Sequence, residues 1–148
     1  MTKKITWENG ERVVREMTPD EVSETPPSVL TSQHVNSERD RRLAAGFSYG
    51  GNVFDSDAAS VQNVIGSATL ARFAVLSGAQ AGDLRWLNPS VDFTWITQAN
   101  VSVDVDAQTM VALGDALTLY RQSVIFAGRA LKDTDPIPTN FTNDQYWP

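Results

Sequence analysis

Three pairs of aspartates, each pair separated by one residue, are the densest chemistry-bearing spacing in the chain: Asp55 and Asp57, Asp104 and Asp106, Asp133 and Asp135. Carboxylates at that spacing could hold a divalent cation. None of the pairs, however, has the glycine and distal glutamate of a calcium loop. Asp57 and Asp106 stand where helices should begin and Asp135 precedes a proline, so capping and turn formation are their expected roles. The single histidine, His34, lies among Ser, Thr, Gln and Asn with no evident partner for acid–base work. There is no cysteine, which excludes disulfides, thiol nucleophiles and Cys-ligated metal centres. Asp92 and Asp104 could share one sheet face, but a solvated face without a pocket is poor ground for glycan hydrolysis. No catalytic residue, cofactor site or metal site is assigned, and the chain is not expected to be an enzyme.

The basic residues are no more suggestive of chemistry. Arg39, Arg41 and Arg42 alternate with Glu38 and Asp40, as on an ordinary solvated or ion-paired helix face. Gly46, Gly50 and Gly51 lack the Lys-Ser/Thr of a phosphate loop. The net charge over 148 residues is −6, which argues against a general nucleic-acid binder. No apolar run approaches the ~20 residues of a membrane span, and the polar residues after Lys3 and Lys4 are unlike a signal peptide. A chain with 41% hydrophobic and 20% charged residues should fold, with proteins as its expected partners.

The elements that must position these residues follow from periodicity. Ile5–Trp7 and Val13–Val14 flank Asn9-Gly10, a strong hairpin signal, and pairing across it sets Trp7 opposite Arg12. Thr18-Pro19-Asp20-Glu21 begins a short capped helix that Pro26-Pro27 stops. Residues 28–46 hold few large apolar side chains. They read as a polar spacer helix in preference to a self-associating stalk. Phe47–Tyr49 and Asn52–Phe54 form a second hairpin about Gly50-Gly51. Asp57 caps a helix running to about Ser77, with Gly78 at its end, whose Val61, Val64, Ala68, Ala71, Val75 and Gly78 stripe should be buried, with Ile65, Phe73 and Leu76 widening that face. Val91, Phe93 and Trp95 alternate toward one face against Val101, Val103 and Val105. Asp106 caps the longest helix, about Ala107–Lys132. Its stripe of Met110, Leu113, Leu117, Tyr120, Val124, Ala127 and Leu131 is read as the core of a helix pair in preference to an oligomeric coiled coil.

The last residues pose the sharpest question. Pro136 and Pro138 favour extended backbone. Phe141, Tyr146 and Trp147 either fold back over the protein's own core or anchor it to a partner. The expected fold is α+β: a small helical core (a helix pair plus a spacer helix), two or three antiparallel hairpins and an extended C-terminal tail. The expected segments are an arm and short helix (1–27), the spacer (28–46), a compact domain (47–135) and an aromatic docking tail (136–148). The candidate docking residues are Trp7, Arg12, Phe141, Tyr146 and Trp147.

The order Arg39-x-x-Arg42-x-x-x-Gly46-Phe47-x-Tyr49-x-Gly51-x-x-Phe54-x-x-Asp57, then Trp95-x-x-x-x-Asn100, then Phe126-Ala127-x-x-Ala130-Leu131, resembles a small domain of unknown function. That domain occurs in short proteins encoded among bacteriophage and prophage tail genes. The ending from Asp135-Pro136-Ile137-Pro138 to Tyr146-Trp147-Pro148 looks like the version in phages of alphaproteobacteria. The resemblance implies a virion component, a minor tail protein at the distal tail or fibre region, made in the host cytoplasm. Its partners would be other tail or fibre proteins and further copies of itself, with no nucleic acid and no membrane insertion. A tail-fibre assembly chaperone is the alternative, and a tail-tip glycan hydrolase ranks last. The resemblance carries over no catalytic residues. Lack of cysteine suits assembly in a reducing cytoplasm.

Overall fold

The computed structural model describes residues 3–8, 10–16 and 29–148. The chain divides into two compact units, Met1–Leu30 and Thr31–Pro148. In the first, β1 (Lys3–Glu8) and β2 (Glu11–Glu16) form an antiparallel hairpin in which Ile5 faces Val14 and Trp7 faces Arg12. Gly10, at φ +86°, supplies the left-handed turn conformation that a side chain would resist. The expected helix at Thr18 and the Pro26-Pro27 stop lie outside the described residues.

The second unit is built around one long helix. Its elements are α1 (Ser32–Ala44), the β3–β4 hairpin (Phe47–Tyr49, Asn52–Phe54), α2 (Ala58–Leu76), the β5–β6 hairpin (Thr94–Ile96, Ser102–Asp104), α3 (Ala107–Lys132) and a 3-10 turn at Asp144–Tyr146. Taken together, the described residues of both units make a small α+β fold, with three helices and three two-stranded antiparallel sheets. α1 and α2 both pack on α3.

The heptad-like stripe of α3 is core. Met110, Leu113, Leu117, Val124 and Leu131 are buried. Opposite its first half, Val64, Ala68 and Ala71 of α2 are buried with Phe47 and Phe54 from the second hairpin. Gly114 permits the closest approach of the helix pair: a Cβ there would lie 2.6 Å from the Ala68 Cβ. Tyr120 stacks on Phe47, ring centroids 6.1 Å apart. The long segment before β5 folds in through Trp86. Its ring lies 4.5 Å from Phe93, and its indole N–H donates to the Val105 carbonyl.

Five expectations need correction. The segment 28–46 is not a free spacer: α1 packs on α3, with Val35 and Glu38 buried. The tail 136–148 is not extended away from the body, because Phe141 and Trp147 are buried. Segments 28–46, 47–135 and 136–148 therefore do not stand apart; residues from Thr31 onward form one unit. Strands β5 and β6 are only three residues each, which leaves Val91 and Val101 exposed while Phe93, Trp95, Val103 and Val105 pack inward. Ile65, Phe73 and Leu76 do not widen the buried face of α2. They lie 47%, 62% and 82% exposed.

Candidate docking surfaces

Two members of the aspartate pairs, Asp57 and Asp106, are taken up as helix caps. Asp57 accepts from the amides of Ala59 and Ser60 and from the Ser60 hydroxyl. The Ser60 hydroxyl, followed by the amides, holds the Asp57 carboxyl below its ordinary range. Asp106 accepts from Thr109 at the start of α3 and, at 2.6 Å, from the Gly82 amide of the preceding loop. Burial works against the charged form of Asp106, but these donors outweigh it and its pKa falls. Asp55 accepts from the Gln98 amide, and Asp133 from Arg129. Among the described residues, no three His, Asp or Glu side chains gather to hold a metal ion. Asp92 is paired with Arg85 on the surface. An open depression of about 310 Å³ beside Trp95 contains Asp55, Ser60 and Asn63. His34 is exposed, and its Nδ1 accepts from the Thr31 amide at the start of α1.

The arginine cluster does a structural job. Glu38, 8% exposed, accepts two bonds from Arg41 and one from Arg42 at 2.6–2.7 Å. Arg42 then reaches across a hundred residues of chain to the Thr142 carbonyl and the Asp144 carboxylate. The Arg42 guanidinium also lies over the Trp147 ring. The Trp147 indole donates to the Phe141 carbonyl at 2.7 Å, and its ring tip rests beside Gly128 of α3. Tyr146 donates to Asn140. Of the five candidate docking residues, Phe141 and Trp147 are thus withdrawn from the surface, and Tyr146 is half-buried and tied to its own loop. The fold-back reading is the one observed. Termini carry buried aromatics only when something ties them down; here the tie is the charge network of a helix face that the sequence pattern presented as solvated or ion-paired.

Trp7 and Arg12 remain. Trp7 is 71% exposed, and Ile5 and Val14 on the same hairpin face are about half exposed. Strand alternation puts Ile5 and Trp7 on one side with Arg12 and Val14. A two-stranded sheet has no second layer of its own on which to bury such a face.

A second surface lies outside the apolar stripes. α2 carries no charged residue from Ala58 to Ala71, and its one charged residue, Arg72, is ion-paired with Asp115 of α3. Ile65, Leu70, Phe73 and Leu76 point away from the core. A helix apolar on every side is normally a covered one. That signal stood in the sequence as the absence of charge.

No helix among the described residues is long and apolar enough to cross a membrane. No curated protein and no solved structure matches the chain. Residues 29–143 match the family described as a domain of unknown function, DUF4376. That span takes in α1, all of α2 and α3 and the two hairpins between them, so the chain belongs to the DUF4376 family.

Proposed function

We propose that this protein is a non-enzymatic structural component of a phage tail, in the distal or fibre region, and that it works by docking on neighbouring tail subunits. The reading draws on the order of motifs from Arg39 to Leu131 that resembles short tail-gene proteins. The structural observation that carries it is the N-terminal hairpin. This is a separate unit with Trp7 open to solvent opposite Arg12 and flanked by Ile5 and Val14. An exposed Trp beside an Arg is the composition of an interface hot spot. Of the candidate docking residues, those of this hairpin carry the reading, because Arg42 and Gly128 hold Trp147 within the body.

Mass spectrometry of purified particles tests the proposal. Stoichiometric copies in particles, lost on Trp7→Ala while the isolated protein stays folded, are expected. Absence from particles together with co-purification with a fibre protein from infected cells would replace it with the assembly-chaperone role.

A further inference from the structure

The outer face of α2 is an apolar surface that the core of its own unit does not account for. Ile65, Leu70, Phe73 and Leu76 are 47%, 50%, 62% and 82% exposed. At roughly 200 Å² for a fully open large apolar side chain, these four present about 500 Å² to solvent. Gly66 lies in the middle of the same face, and a Cβ there would touch nothing. A glycine at a helix centre costs about 1 kcal/mol relative to alanine. Among the described residues nothing offsets that cost, since none comes within 4 Å of the position.

We infer that this face pairs with the same face of a second copy, antiparallel, on a two-fold axis passing between Thr69 and Leu70. Gly66 is a hollow and Phe73 a projection on the same row, two helical turns apart. An axis midway between them seats each Phe73 ring in the partner copy's Gly66 hollow and brings Ile65 beside the partner copy's Leu76. An isologous contact of this kind needs one self-complementary patch, which a hollow and a projection equidistant from the axis provide. Complete cover of these four side chains in both copies would remove about 1,000 Å² from water, the lower bound for a biological interface. Charge selects the same face. Two molecules of net charge −6 repel, and from Ala58 to Ala71 this helix has no carboxylate to bring together. The antiparallel arrangement also sets opposite ends of the two helix dipoles side by side. The pairing rests on the helix face alone and holds whether or not the protein resides in a tail.

The test uses the full chain and its natural lack of cysteine. Light scattering should give a dimer. Phe73→Glu should give a monomer with an unchanged circular dichroism spectrum, because that side chain is mostly outside the core. Gly66→Phe should weaken the dimer by filling the hollow. Thr69→Cys stands at the axis and should form a covalent dimer on oxidation. Leu76→Cys should not, its two copies lying about 20 Å apart along the helices. A wild-type monomer up to millimolar concentration, a trimer, a Phe73→Glu dimer, or crosslinking at position 76 in place of 69 would each overturn the inference.

Discussion

The Arg42 guanidinium stands 5.1 Å from the centre of the Trp147 ring. That contact joins the last turn of α1 to the end of the chain, and Glu38 holds the arginine from behind at 2.6 Å. Arg42 is only 12% exposed, so the stacking takes place largely out of water, where a cation–π contact is strongest. The second packing layer of the body, with Val35, Val124, Leu131, Phe141 and Trp147 buried, is completed by this tie.

Trp147→Ala should therefore behave as a core truncation and lower stability by about 3 kcal/mol. Urea unfolding of the two proteins measures it. A loss below about 1 kcal/mol, the size of a surface effect, would show that the ring is not part of the core.

Glu38 gives the same layer an acid-sensitive component. Hydrogen bonds from Arg41, against the opposing effect of burial and with further help from Arg42, hold its carboxyl below the ordinary value of 4.5. A lowered folded-state pKa means that its stabilisation is complete above pH 4.5 and is lost as pH falls through the lowered value. Wild type should exceed Glu38→Gln in stability at pH 7, and the gap should close in acid. A gap independent of pH between 7 and 3 would show that the charge is not what matters.

Gly114→Ala reverses the usual rule that alanine favours a helix by about 1 kcal/mol over glycine. The new Cβ would stand 2.6 Å from that of Ala68, fixed on the facing helix. Overpacking of this kind costs roughly 1–3 kcal/mol, so a lower thermal midpoint is expected. A raised midpoint would mean that the two helices separate easily.

Asp106→Ala removes the cap of the longest helix and the acceptor for the Gly82 amide in one step. A loss of about 1–2 kcal/mol is expected, at the upper end for a capping residue. Hydrogen exchange should report it locally, with faster exchange at Gly82 and in the first turn of α3. Unchanged exchange at Gly82 would show that the loop is held by other contacts.

What the sequence determined by itself is everything carried by neighbours along the chain. Asp57 and Asp106 as caps, Gly10 and Gly50-Gly51 as turns, and the three-four stripe from Met110 to Leu131 depend on local backbone geometry and helical period. All appear as expected. Only the tertiary structure decided what covers what. The stripe of α2 was legible, but not that Ile65, Phe73 and Leu76 lie outside it, since an apolar residue looks the same in sequence whether its cover comes from this chain or from elsewhere. The charged face of α1 was legible, but not its burial. Glu38, Arg42 and Trp147 meet across about a hundred intervening residues, and a charge reads as solvated until a distant partner takes the place of water.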